Sequence, residues 1–326
     1  MLYPLQFEAN LFPVVWGGHR LKEIKGMLPD NEPIGESWEI SAVPGKESIV
    51  SNGILRGKSL RELTLEYGAA LLGQSVLDRY GKDFPLLFKL IDAERDLSIQ
   101  VHPNDELAQK RHGCMGKTEM WYVVDARPDT YLYVGFAKNI SKEEYCSRVE
   151  DGSICDVLAK YNIHQGDAFF IPAGCVHSIC GGALIAEIQQ SSDITYRIYD
   201  YGRLGMDGKP RELHTELAVD ALDYTMHPEY VLGYQMEKNS PNVICRCDSF
   251  EVRRLTLDIP VNRRMKHHDT FVIYMCLQGE CVLDNTVQLR RGQSCLVPAM
   301  CAEDIVLAPT TDGSPAELLE IFIPQR

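Results

Sequence analysis

The run LSIQVHPND, residues 97–105, alternates Leu97, Ile99 and Val101 with Ser98, Gln100 and His102. On a β-strand, residues two apart share a face. One face is therefore aliphatic, and the other carries a hydroxyl, an amide and an imidazole. Glu119, in GKTEMWYVV, opens the next strand-like run, seventeen residues after His102. His177 follows a Pro-Gly turn in IPAGCVHSI. Two imidazoles and a carboxylate are a known catalytic zinc set. An ion that keeps one coordination position open can polarise a carbonyl or an adjacent hydroxyl oxygen. The amide oxygen of Gln100 is a weaker fourth donor. Read singly, each of these is an ordinary polar side chain. Together, on facing strands of one small barrel, the four point to a metal site.

Those residues need strands to bring them together. The first 58 residues are rich in Gly, Pro and short β-like runs, and residues 59–81 read as helical. Ser59 and Glu62 form a capping box at the start of that helix. Strands follow in FPLLFKLIDA, LSIQVHP, EMWYVVDA and TYLYVGF. Residues 141–161 again read as helical, with Ser141 and Glu144 as a second capping box and a break at Gly152. Strands resume in DAFFIPAG, VHSIC, ALIAEIQQ and ITYRIYDYG. Residues 202–235 read as loop and short helix, and from about 240 the pattern is almost wholly β. Many short strands with Gly, Pro and Asp turns predict a mainly β protein built from jelly-roll sandwiches.

GDAFFIPAGCVHSI, 166–179, aligns without gaps to GQSCLVPAMCAEDI, 292–305. This weak repeat predicts two β-barrel modules. The first, residues 1–235, carries the candidate site and the helical segments near 59–81 and 141–161. The second, residues 236–326, has Glu303 where the first has His177 and no clear counterpart of Glu119, so it is expected to lack a metal site. His267 and His268 therefore read as structural.

The net charge of −13 over 326 residues argues against a general nucleic-acid surface, which needs a basic face. A small anionic substrate needs only a few local cations. No basic start precedes an apolar run at the N-terminus, and no apolar stretch is long enough to span a membrane. Eleven scattered Cys, an odd number, fit reduced thiols in the cytoplasm better than a disulfide framework. Cys245 and Cys247 read as buried structural thiols.

At this point LSIQVHPND resembles the first signature of type I mannose-6-phosphate isomerases, a cupin-fold family. WGG (16–18), FPLLFKLIDA (84–93), GKTEMWYVV and IPAGCVHSICGGALIAEIQQSSDITYR (171–197) resemble further family segments in the same order. The resemblance covers roughly residues 10–205. It implies a pair of cupin barrels, the second degenerate, with a few helices packed on the first. It implies one zinc ion per chain on Gln100, His102, Glu119 and His177. Lys117 and Arg197 look like active-site cations, Glu187 like their acidic partner, and Ser98 and Lys89 like substrate or phosphate contacts. Only 58 residues separate Glu119 from His177, too few for the helical domain of longer members, so the chain looks like the short bacterial form.

The implied reaction interconverts mannose 6-phosphate and fructose 6-phosphate through an enediol. It needs a base within reach of the transferred proton. Glu187, Lys117 and a zinc-bound hydroxide all qualify. Glu187 shares a strand face with Ile185 and Gln189, and a Glu there can also be simply solvated. Lys117 shares the face of Glu119 if the strand has begun, and is otherwise a solvated turn residue. Arg197 either clamps substrate oxyanions or ion-pairs with Asp193 or Asp200. Trp16, before two glycines, is core or sits at the pocket mouth as a substrate contact. A non-catalytic sugar-phosphate-binding cupin and a metal-dependent cupin dioxygenase are the alternatives. The dioxygenase expects a His-x-His pair where this chain has Gln100 and His102.

Overall fold

The computed structural model describes residues 2–28, 30–310 and 314–325. By contacts the chain forms two units. One comprises Leu11–Ser37 and Phe88–Leu232; the other comprises Met1–Asn10, Trp38–Leu87 and Gly233–Arg326.

The strands up to residue 199 are β1 (Asn10–Gly18), β2 (Ile34–Ile40), β3 (Leu86–Asp92), β4 (Ile99–Val101), β5 (Glu119–Ala126) and β6 (Tyr131–Phe136). They continue with β7 (Leu158–Asn162), β8 (Ala168–Ile171), β9 (His177–Ile179), β10 (Ala183–Gln190) and β11 (Tyr196–Tyr199). They form a six-stranded sheet, β1-β2-β3-β10-β5-β8, and a five-stranded sheet, β11-β4-β9-β6-β7. Ile91, Trp121, Val123, Phe169, Ala183 and Ile185 from the first sheet share one core with Leu132, Val134 and Ile179 from the second. Alternation along each strand sends these side chains inward, which makes the pair a sandwich.

Leu97 departs from the expected alternation. Its side chain joins that inner core, whereas Ile99 and Val101 pack with Phe136, Tyr145, Tyr196 and Ile198. β4 is only three residues long, so the period-two rule does not extend back to Leu97.

Two helix expectations also change. Residues 59–81 form three short helices, Leu60–Tyr67, Ala69–Leu72 and Gln74–Tyr80. Gly68 (φ 47°) and Gly73 (φ 92°) interrupt them, and the Ser59–Glu62 capping box is present. By contacts these helices belong with residues 233–326 rather than with the first module. Phe84 packs against Phe271 with ring centroids 4.7 Å apart and the planes tilted by 34°, and Phe271 N donates to Leu72 O. At the other site Ser141 accepts from Glu144 N and caps Lys142–Glu150; beyond Gly152 the expected helix over 141–161 gives way to a single 3-10 turn, Ile154–Val157, and then to β7. Glu144 does not complete the box; its carboxylate takes Lys138 instead.

The remaining strands are β12 (Asn242–Arg246), β13 (Glu251–Leu257), β14 (Val261–Arg263), β15 (Val272–Gln278) and β16 (Glu280–Leu283). β17 (Val287–Arg290), β18 (Ser294–Val297), β19 (Ile305–Pro309) and β20 (Ala316–Phe322) complete the set. Their order, β12-β13-β20-β15-β18 and β14-β19-β16-β17, repeats that of β2-β3-β10-β5-β8 and β4-β9-β6-β7. The aligned repeat falls on equivalent strands, β8 and β18, each entered through a positive-φ glycine, Gly166 and Gly292.

The repeat extends to register. Glu187 pairs with Trp121 and Trp121 with Phe169; Glu320 pairs with Tyr274 and Tyr274 with Cys295. In each module the ring residue donates to the glutamate: Trp121 Nε1 to Glu187 Oε2 at 3.0 Å, Tyr274 Oη to Glu320 Oε2 at 2.9 Å. Glu320 is fully buried and is closed off by Arg263, whose Nε and Nη2 lie 2.8 and 2.7 Å from its two oxygens. Breaking a buried pair strands a charge. Glu320→Ala is expected to lower the unfolding free energy by about 3–5 kcal/mol in a denaturant titration. A loss below about 1 kcal/mol would show that Arg263 finds another partner.

Candidate metal centre and active site

His102 follows β4, Glu119 opens β5, and His177 opens β9. Gln100 on β4 pairs directly with His177. The turn before His177 is tied to the neighbouring ligand, because Gly174 N donates to His102 O at 2.9 Å. Gly174 has φ of +92°, which glycine adopts without the steric cost other residues incur.

His102, Glu119 and His177 are buried, and their ligand atoms lie within 4.8 Å of one another. His102 Nδ1 lies 2.9 Å from Ile194 O and His177 Nδ1 lies 2.8 Å from Cys175 O. A carbonyl only accepts, so both protons sit on Nδ1. Both Nε2 lone pairs are thereby turned toward each other, 3.1 Å apart. Glu119 Oε1 is 3.4 Å from His177 Nε2, and Oε2 is 3.5 Å from His102 Nε2. Oε1 is buried without a hydrogen-bond partner among the described residues. Two facing lone pairs and an unsatisfied carboxylate oxygen are a donor set in need of a cation. They fit a metal ion, and backbone carbonyls behind both imidazoles fix the tautomers as metal ligands require.

Burial, then Lys117 close by, hold both imidazoles neutral: His177 falls to about 3 and His102 lies well below the usual histidine value. Burial and then the charge of Glu187 push the Glu119 carboxyl up. Burial also works against Glu187, but Lys117, Lys89 and the Trp121 hydrogen bond outweigh it and hold this carboxyl down. A cation favours ionised Glu119.

Lys117 is nearly enclosed. Its Nζ lies 2.7 Å from Glu119 Oε2, 3.0 Å from His102 Nε2 and 3.9 Å from Glu187 Oε1. Lys89 Nζ lies 3.3 Å from Glu187 Oε1 and 3.4 Å from Glu36 Oε2. Burial favours the neutral amine, but Glu36, Glu187 and Glu119 override it and raise the Lys89 pKa. Gln100 presents Nε2 to His177 Nε2 at 3.3 Å, and Ser98 Oγ lies 3.5 Å from Gln100 Oε1.

Arg197 stands opposite Gln100 in register. Its Nη1 donates to Glu212 O, and its buried Nε has no hydrogen-bond partner among the described residues. Asp200 pairs with Arg203 and Arg211. Trp16 is buried in the inner core with Ile91, Ala93 and Leu97, the first of the two readings its sequence context allowed. Two residues escaped the sequence reading. Trp121 bonds Glu187 and sets its ring edge-on to His177 at 5.3 Å. Glu36 pairs with Lys89. Trp121 is two residues from Glu119 and shares its face, which was a usable signal; Glu36 had none.

A duplicated jelly roll whose first copy encloses a His–Glu–His donor set is a cupin-type enzyme scaffold. Comparison with known proteins makes this specific. The family model for the phosphomannose isomerase type I catalytic domain matches residues 5–131. The chain is 36% identical over 280 residues to mannose-6-phosphate isomerase ManA of Bacillus subtilis, covering 85% of this chain and 86% of that one. It is 40% identical over 222 residues to the mannose-6-phosphate isomerase of Streptococcus mutans, covering 68% of each. The crystal structure of the Bacillus subtilis mannose 6-phosphate isomerase matches it with a TM-score of 0.87 at 32% identity, covering 98% of this chain and 99% of that one. The chain belongs to the type I phosphomannose isomerase family.

Purified protein is expected to carry about one metal ion per chain by elemental analysis. His177→Ala is expected to lower metal occupancy at least about tenfold while the circular-dichroism spectrum stays β-rich. Full occupancy in that variant would remove His177 from the donor set.

Proposed function

We propose that this chain interconverts mannose 6-phosphate and fructose 6-phosphate through an enediol, with zinc held by His102, Glu119, His177 and the Gln100 amide oxygen. The observation that carries this reading is the pair of facing Nε2 lone pairs beside the unsatisfied carboxylate oxygen, on a chain of this family. Exchange of nitrogen and oxygen by a half-turn of the Gln100 amide presents Oε1, an assignment that hydrogen bonding alone decides. When bound, zinc supplies polarisation of the sugar carbonyl and its neighbouring hydroxyl.

The protein groups do the rest. The reaction moves a proton from C2 to C1 and a hydroxyl proton from O2 to O1, with no net oxidation. Lys117 and Glu187, 3.9 Å apart, handle the carbon-bound proton as a coupled pair. Arg197 faces the charge that develops on the sugar oxygens, a role suited to its planar fork. Ser98, beside β4, and Lys89, on β3, contact substrate from the two sheets of this unit. Two lysines against Glu36, Glu119 and Glu187 leave this cluster one negative charge; a divalent ion reverses the sign, which favours a phosphate ester. All these groups lie in the unit made of Leu11–Ser37 and Phe88–Leu232, to which we assign catalysis. Eleven free thiols fit a cytoplasmic protein. No described helix is long and apolar enough to cross a membrane.

A coupled assay with mannose 6-phosphate tests the reading. Chelator treatment is expected to abolish turnover and zinc to restore it; full turnover in metal-free protein would overturn the metal role. Glu187→Gln is expected to lower kcat by about 10²–10⁴-fold with metal content retained. Unchanged kcat would remove Glu187 from proton transfer.

A further inference from the structure

Lys117 precedes β5 and lies in the loop after the helix Asp105–His112. A lysine side chain has a long, freely rotating stem, so its ammonium is placed only as well as its backbone. Here that backbone is held on both flanks by one side-chain pair. Gly116 N donates to Asp105 Oδ1 at 2.8 Å, and Thr118 N donates to Gln190 Oε1 at 2.9 Å. Gln190 Nε2 closes the link by donating to the same Asp105 oxygen at 2.9 Å.

Three further features tighten this clamp. Gln190 N donates to Thr118 O, and Lys117 N donates to Pro103 O. Gln190 is buried. At Gly116 a Cβ would stand 2.6 Å from Asn104 C and Asp105 N, so this backbone is pressed onto the start of the helix. Thr118 Oγ1 accepts from Ala173 N at 3.3 Å, which joins the loop to the turn that carries His177.

We propose that Asp105 and Gln190 are a positioning pair for Lys117, fixing the peptide groups on either side of it so that its ammonium meets Glu119 and Glu187. The inference rests on the reading in which Lys117 handles protons in this site. Neither residue contacts the metal donor set directly in the bonds described; Thr118 also leads into Glu119, so metal content is the readout that separates an effect on Lys117 from one on the donor set.

Gln190→Glu keeps the acceptor for Thr118 N but sets a second carboxylate against Asp105. It is expected to lower kcat for mannose 6-phosphate by about tenfold or more, the scale of a small misplacement of a catalytic group. KM and metal content should stay within about twofold of the parent. Parental kcat in Gln190→Glu would overturn the proposal. So would a loss of metal and melting temperature in step with kcat. Lys117→Met separates the two readings. If it is inactive while Gln190→Glu is unimpaired, only the positioning pair fails. If Lys117→Met is fully active, the role of Lys117 itself fails.

Discussion

Two imidazole lone pairs and a carboxylate oxygen aimed at one another inside a protein are unfavourable by themselves. Neutral histidines in this tautomer cannot bond each other, and a buried anion without enough cationic partners costs several kcal/mol. The site organises itself around that conflict. Carbonyls of Ile194 and Cys175 lock both rings, while Lys117 and Lys89 offset part of the acidic charge. A bound cation would complete the balance. The fold must hold this arrangement against its own repulsion, and the antiparallel ladders β4–β9 and β5–β10 supply that rigidity.

The C-terminal module resolves a related charge in another way. Its strands repeat the order of the first, and Glu320 and Tyr274 stand where Glu187 and Trp121 stand. There a bidentate guanidinium from Arg263 covers the carboxylate, and Val272 faces Val297 where Glu119 faces Ile171. A planar fork fixed on both oxygens leaves the acid satisfied within the protein. The first module instead uses lysines, which are point charges shared among several acids. That difference separates an internally closed ion pair from a cluster that can accept an outside cation and an anionic ligand.

Much of this was readable from residue order. The donor set stood out because His102, Glu119 and His177 each begin or end a strand beside a turn, and because polar residues interrupt aliphatic alternation there. The repeat of 166–179 in 292–305 pointed to two modules, and the two segments fall on strands of equivalent order, β8 and β18. The misses have physical causes. Gly68 and Gly73 adopt positive φ and cut a helix whose periodicity looked continuous. Glu144 had two available partners, and Lys138 competed successfully with the helix cap. Leu97 lies outside the short ladder, so alternation carried no information about it. Trp16 had a local sequence compatible with either core or pocket, and packing density put it in the core.

The sequence by itself determined the strand-rich character and pointed to a duplicated module and to candidate metal donors, because period-two patterning, turn residues and side-chain chemistry are local properties. Only the tertiary structure decided how those donors are oriented, which lysine pairs with which acid, and what holds Lys117. Those facts depend on residues far apart in the chain: Gln190 meets Asp105, Glu187 meets Lys89, and the His102 tautomer follows from the Ile194 carbonyl. Electrostatic balance in a buried site is a sum over neighbours, and neighbours are fixed by folding.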